Sequence, residues 1–204
     1  MAACHTRGVE EVQDPLAEVQ RWLETAREHG VPGADTMIVA TSTPDGRPSA
    51  RAVILRGLDE RGFVFFTDTR SRKGRELAAN PRAALVIVWD EEERQVRAEG
   101  RVERVTEGES DAYFARRPRG HQLGAWASRQ SDVLARRDDL ARVMAEVTAR
   151  FAGRDVPRPP YWGGYRLVPD AVELWEGRPD RLHERIRYRR PSNGTGWVGE
   201  WLWP

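Results

Sequence analysis

The chain has 204 residues, enough for one domain with a real core, and its 33 Lys+Arg against 32 Asp+Glu leave a net charge of +1. That balance gives bulk electrostatics no reason to favour a nucleic acid or a membrane surface, so basic residues matter only where they cluster. A single cysteine, Cys4, excludes an intramolecular disulfide and a cysteine zinc site and fits a reducing cytoplasm. No apolar run marks a signal peptide or a bilayer span.

Residues 1–13 read as a flexible lead-in, and 14–204 as one domain. Asp14-Pro15 starts a helix, aspartate as N-cap and proline at the first helical position, with Leu16, Val19, Leu23 and Ala26 on its apolar face. Thr36 to Thr41 is β-branched and apolar, Pro44-Asp45-Gly46 turns, and Ser49 to Arg56 returns. Asp59 to Gly62 turns again into the strand Phe63 to Thr67. A short helix is expected over Asp68 to Ala79, stopped by Asn80-Pro81. Ala83 to Trp89 and Gln95 to Val105 continue the sheet, and Thr106 caps a helix running to about Arg116. Leu140, Val143, Met144, Val147 and Phe151 share one face of a later helix. After the stiff connector Val156 to Pro160, strands are expected at Tyr165 to Val168, Ala171 to Trp175 and Leu182 to Tyr188. A turn over 191–196 and the segment Trp197 to Leu202 close the chain. About eight strands with short connections and no βαβ alternation predict a mainly β fold: an antiparallel barrel with helices packed outside.

Three constellations suit anions. Ser71-Arg72-Lys73-Gly74 puts two cations at a helix N-terminus, where free N–H groups already favour negative charge; the bland reading is a solvated helix end. Arg51 sits on a strand otherwise made of Ala52, Val53, Ile54 and Leu55, and needs either a bound phosphate or a buried carboxylate. Tyr113 and Arg117 are four apart, on one helix face, equipped for a second anion or simply stacked at an exposed end. In a strand, Arg181, His183 and Arg185 would form a cationic stripe, with Leu182 turned into the core. That stripe reads equally as an anion wall or a solvated edge. His5, His29, His121 and His183 lack metal-ligand spacing, and no nucleophilic triad or P-loop is present. Such a chain must import its reactivity, which points toward a phosphorylated cofactor.

Ordered motifs over roughly 14–204 resemble the FMN-dependent pyridoxamine 5′-phosphate oxidases. They are Arg51 to Leu55, Phe65-Phe66-Thr67 with Ser71-Arg72-Lys73, Arg94-Gln95-Val96, Arg117-Pro118-Arg119, Gln122 to Ser128, Gln130-Ser131, Trp162-Gly163-Gly164, and Trp175 through Arg185. The resemblance implies a split β-barrel homodimer with FMN at the dimer interface. It implies FMN contacts from Arg51, Ala52, Val53, Ile54, Leu55, Phe66, Thr67, Arg72, Lys73 and Gln95 of one chain, and from Gln130, Ser131, Trp175 and Arg185 of the other. Substrate would meet Arg56, Tyr113, Arg117, His121, Arg181 and His183, the last two serving catalysis. The implied reaction passes a hydride from substrate to flavin, which oxygen reoxidises with release of hydrogen peroxide.

The sequence also departs from the family pattern. Arg56 stands where a substrate-phosphate lysine is usual, His121 where serine is frequent, and Phe66 where tyrosine is frequent. The ending is Trp201-Leu202-Trp203-Pro204 instead of Arg-Leu-x-Pro, and an N-terminal Arg-x-x-Tyr lid is absent. Relatives that oxidise tricyclic phenazine intermediates share the fold, and Trp197, Trp201 and Trp203 could line a pocket for such a flat substrate or pack in a core or dimer contact. Two further readings are a non-catalytic flavin- or haem-binding split barrel and a nucleic-acid binder using Arg178 to Arg190.

Overall fold

The computed structural model describes residues 13–191 and 196–204. Most of the lead-in expected over 1–13, with Cys4 and His5, and the centre of the turn expected over 191–196 lie outside the described residues. Helix α1 (Pro15–Glu28) begins as its sequence dictates: Asp14 accepts from the Leu16 N–H at 3.0 Å. Its predicted face is buried, and Trp22 joins it.

The sheet has nine strands among the described residues, paired antiparallel: β1 (Thr36–Ser42), β2 (Pro48–Ile54), β3 (Gly57–Asp59), β4 (Gly62–Asp68), β5 (Arg82–Trp89), β6 (Arg94–Arg104), β7 (Trp162–Glu176), β8 (Glu184–Arg189) and β9 (Val198–Trp201). The order is β2-β1-β5-β6-β7-β4-β3. The long β7 changes neighbour midway: its first half pairs with β4, its second half with β8, which carries β9. The sheet therefore curls into a half-barrel around one core. Phe63, Leu85, Trp89, Leu174, Ile186 and Tyr188 fill it, with α1 packed against it. Each such side chain contributes about 1.5–3 kcal/mol when fully buried. Helices α2 (Arg72–Ala79), α3 (Glu107–Ala115), α4 (Arg119–Ala127) and α5 (Arg137–Arg150) lie outside. A smaller cluster of Phe114, Leu123, Phe151, Val156 and Trp162 seats α3 and α4 beside β7.

Several elements differ from the sequence expectation. The strands expected at 165–168 and 171–175 are one. Opposite the Glu99–Gly100 step of β6 the register shifts by one residue, with Gly100 paired to Pro169 and Glu99 to Ala171, so Asp170 is the extra residue and β7 continues through a proline that would otherwise end it. Gly100 permits this, because a Cβ there would run into the Val168 carbonyl. Helix α4 went unpredicted: glycines at 120 and 124 weaken its pattern, and its N-cap is Pro118 without a side-chain cap. Gln122 donates to the Phe114 carbonyl (3.1 Å) and the Trp126 indole to the Pro157 carbonyl (2.7 Å), so that motif fixes α4 to its neighbours. Helix α2 starts at Arg72 rather than Asp68, because Ser71 caps it. β2 ends at Ile54 rather than Arg56. α3 ends at Ala115, so Tyr113 and Arg117 do not share one helix. α5 buries none of its own residues; Leu140 is half-exposed, while Phe151 just past its end is buried.

The largest correction falls on the Arg181, His183, Arg185 stripe. Pro179–Arg181 is a 3₁₀ turn with Asp180 and Arg181 at φ 58° and 61°, and β8 starts only at Glu184. Strand alternation therefore does not apply to 181–183. Leu182 is 68% exposed instead of entering the core.

Candidate active site

A cavity of about 890 Å³ opens between β2, the start of α2, the α3–α4 junction and the 130–131 loop. Fourteen expected site residues line it: Arg51, Ala52, Val53, Ile54, Arg56, Phe66, Thr67, Arg72, Lys73, Tyr113, Arg117, His121, Gln130 and Ser131. Arg116, Ser49 and Ala50 join them without having been expected there, as do Pro118 and Trp162, which the sequence marks only as parts of motifs and not as site residues. Ser49 was legible as the strand neighbour two before Arg51, and Arg116 as part of the basic run before Pro118. Among the described residues six fixed cations thus face the cavity, Arg51, Arg56, Arg72, Lys73, Arg116 and Arg117, and no carboxylate lines it.

The cations fall in two groups. At one end, Lys73 is buried and donates to Thr67 Oγ1 (2.8 Å), Gln130 Oε1 (2.8 Å) and Ser71 Oγ (3.3 Å). All three acceptors are neutral. Burial, then the nearby Arg51 guanidinium, pull its ammonium down to about 8, against a smaller opposing pull from Asp68. Beside it, the N–H groups of Arg72 and Lys73 open α2 with no intrahelical acceptor. Gly74 lets that turn close, since a Cβ would collide with the Thr69 carbonyl. Of the two partners the sequence left open for Arg51, the structure supplies the buried carboxylate: Arg51 reaches Glu76 at 3.4 Å, and it also lines the cavity.

At the other end the rings of Phe66, Tyr113 and Trp162 lie nearly parallel, with centroids 4.1 Å (Phe66–Tyr113) and 5.5 Å (Phe66–Trp162) apart. Guanidiniums flank them: Arg56 and Arg116 stand 6.0 and 5.9 Å from the Tyr113 ring, and Arg117 4.6 Å from that of Trp162. Burial lowers the Arg117 pKa; Tyr113 offsets this and Arg56 reinforces it. Its Nη1 is buried with no partner among the described residues. A buried guanidinium nitrogen without an acceptor is what an absent anion would satisfy.

The remaining expected residues lie elsewhere. Leu55 is buried, its N–H held by the Asp35 carbonyl (2.8 Å). Gln95, Trp175 and Arg185 are direct register partners across β6, β7 and β8, forming one row. The His183 ring packs against Trp175, tilted by 38° with centroids 4.6 Å apart, and its Nδ1 accepts from the Arg178 N–H at 3.2 Å. Arg185 is tied to Glu173 (2.9 Å) and the Trp203 carbonyl (2.9 Å). Arg181 is exposed and has no side-chain hydrogen bond among the described residues. None of these lines the cavity. Within this chain Gln130 and Ser131 line the same cavity as Arg51 and Lys73, whereas Gln95 lies in a row with Trp175 and Arg185. Trp201 and Trp203 are exposed and away from the cavity, while Trp197 packs against the main core. The arginines after 178 are largely spent on protein partners: Arg178 on Glu176 and Glu184, and Arg187 and Arg189 on Glu200.

A curled antiparallel half-barrel with a cation-lined cavity beside its outer helices defines the class of split barrels. The chain belongs to the pyridoxamine 5′-phosphate oxidase family: residues 23–151 match that family's model, and 162–204 match the pyridoxine 5′-phosphate oxidase C-terminal dimerisation region. A pyridoxine/pyridoxamine 5′-phosphate oxidase of Rubrobacter xylanophilus is 57% identical over 184 residues, covering 90% of this chain and 84% of that one. One from Cupriavidus taiwanensis is 56% identical, with 90% and 86% covered. Among solved structures, PhzG of Burkholderia lata, in complex with tetrahydrophenazine-1-carboxylic acid, aligns with a TM-score of 0.90 at 36% identity, covering 96% of this chain and 95% of its own. A 20% identical FMN-binding protein of Nostoc punctiforme shares the fold, with a TM-score of 0.71 and 93% and 95% covered.

Proposed function

We propose that the protein oxidises pyridoxine or pyridoxamine 5′-phosphate to pyridoxal 5′-phosphate, using FMN and passing the electrons to oxygen with release of hydrogen peroxide. The observation that carries this reading is a cavity with two cation groups, no carboxylate among the described residues of its lining and a stacked aromatic wall at one end. Two phosphate-bearing aromatic molecules, a flavin and a pyridine, are what such a cavity accommodates, and its volume lies within the usual range of ligand sites. The orphaned Arg117 nitrogen and the open N-terminus of α2 fit the two phosphates.

Bound FMN would supply the two-electron acceptor. Arg72, Lys73 and the first N–H groups of α2 would hold its phosphate, with Arg51, Thr67 and Gln130 beside them. Arg56, Tyr113, Arg117 and His121 would hold the substrate phosphate, and Arg116 adds charge there. The Gln95, Trp175, Arg185 row and the Arg181, His183 loop would come from the partner of a homodimer. Outward-facing Ile38, Ile54 and Val88 on β1, β2 and β5 offer apolar surface for that contact. His183 Nδ1 already accepts the Arg178 amide, so a neutral ring carries its hydrogen on Nε2. It would orient the substrate's oxygen or nitrogen as a donor, and orientation supplies much of the rate. For pyridoxamine 5′-phosphate, water then hydrolyses the oxidised imine to aldehyde and ammonia.

The three arginines at the substrate end suit a dianionic phosphate better than the single carboxylate of a phenazine acid. Peroxide production by FMN-loaded protein tests the choice. Turnover of pyridoxine 5′-phosphate is expected; turnover of a reduced phenazine precursor alone would reverse it. FMN retention with no turnover of any amine or alcohol would favour a binding protein.

A further inference from the structure

Glu76 is 5% exposed, on the inner side of α2, and does not line the cavity. Nevertheless its two carboxylate oxygens serve both arginines at the α2 end of it. Oε1 accepts from Arg72 Nε at 2.8 Å. Oε2 lies 3.4 Å from Arg51 Nη2 and accepts from the Ser49 hydroxyl (2.6 Å) and the Thr41 hydroxyl. Those hydroxyls in turn accept from Arg51, Thr41 Oγ1 from Nη1 (2.6 Å) and Ser49 Oγ from Nη2 (2.5 Å). Arg51 is thus fixed from four sides, counting the Val39 carbonyl at 3.2 Å. Arg72 is held by its Nε alone, which leaves both its terminal nitrogens without a protein partner among the described residues. A planar fork tethered at its base and open at its tip is poised for bidentate contact with a phosphate. The carboxylate is kept ionised: burial would push it up, but hydrogen bonds from Ser49, Thr41 and Arg72 hold it at about 2.

We infer that Glu76 is a positioning residue that aims the Arg72 fork, and braces Arg51, toward the phosphate of the flavin. This rests on the phosphate reading of the cavity given above. Two effects of Glu76→Gln oppose each other. Losing the carboxylate frees the arginines to move, which weakens phosphate binding. It also removes a negative charge from beside the phosphate, which strengthens binding. The sign therefore separates positioning from simple charge.

The test uses full-length protein loaded with FMN or with riboflavin, which lacks the phosphate, and follows flavin fluorescence released on dilution. If Glu76 positions, Glu76→Gln weakens FMN retention roughly tenfold or more and leaves riboflavin within about twofold of the parent. Arg72→Lys, which keeps the charge but loses the Nε tether and the fork, should lose FMN in the same selective way. Tighter or unchanged FMN retention, or equal loss of FMN and riboflavin, overturns the inference. Should Glu76→Gln fail to fold, Arg72→Lys decides by the same two ligands. If the parent protein retains riboflavin as well as FMN, the phosphate reading itself falls, whatever the variants do.

Discussion

The cavity and the row behind it hold their functional residues by different means. In the cavity, side chains project from β2, from the first turn of α2 and from the α3–α4 junction, and Arg51 and Lys73 are each held by several partners inside the chain. In the 178–185 segment, two consecutive non-glycine residues adopt positive φ, Arg181 is exposed, and His183 is fixed by one backbone N–H and one indole ring. Residues held in the left-handed region cost of order 1–3 kcal/mol each and cluster where a segment must meet a ligand. One region is therefore a preformed cradle of cations. The other is a strained arm whose Arg181 has no side-chain hydrogen bond among the described residues. That contrast predicts that flavin retention and substrate turnover separate cleanly between the two.

The sharpest break would come from the cradle. Lys73→Met removes three hydrogen bonds from a buried ammonium and should raise the flavin dissociation constant about 100-fold, some 2–3 kcal/mol. Equilibrium dialysis of the flavin checks it, and retention near the parent level would place the phosphate elsewhere. Arg181→Ala should act oppositely. Flavin stays bound, while kcat/KM for pyridoxine 5′-phosphate falls about 10–50-fold. Equal loss of flavin and turnover would show that the arm also holds the cofactor.

A smaller effect follows from pH. Below about 8 the Lys73 ammonium is charged with or without ligand, so affinity for FMN stays flat. A bound phosphate raises the pKa again, so above 8 binding must take up a proton and affinity falls by up to about tenfold per pH unit. Fluorescence titrations between about pH 7 and 10 test it, with Lys73→Met expected to show no such decline over that window. An unchanged slope in that variant would move the titration to another group.

The same contrast explains what the sequence conveyed. Cradle residues sit on regular elements, where period and capping are local: Arg51 on an apolar strand and Ser71-Arg72-Lys73 at a capped helix start could be placed by pattern alone. Glu76 escaped notice because a helix glutamate has no sequence mark of being buried; only the tertiary approach of β1 and β2 makes it a brace. The arm misled for a physical reason. Arg181-Leu182-His183-Glu184-Arg185 has strand-like alternation, but Pro179 and the positive φ of Asp180 and Arg181 keep it out of the sheet until Glu184. Gln95, Trp175 and Arg185 were each recognisable, yet their adjacency is a matter of register, which β6 and the continuous, bulged β7 set together.

The smallest expected effect tests that reading of the arm most directly. If 181–185 were a strand with Leu182 turned inward, Leu182→Ala would open a cavity and cost about 2–5 kcal/mol. With Leu182 at 68% exposure, the substitution should change stability by less than about 0.5 kcal/mol. Ile186, four residues on in β8 and fully buried, is the internal control: Ile186→Ala should cost the full 2–5 kcal/mol or so. Denaturant unfolding of the two variants separates the alternatives, since a large loss at both positions would restore the strand and put Arg181, His183 and Arg185 back on one face. A loss at Ile186 alone keeps the arm outside the sheet, free to reach beyond its own chain.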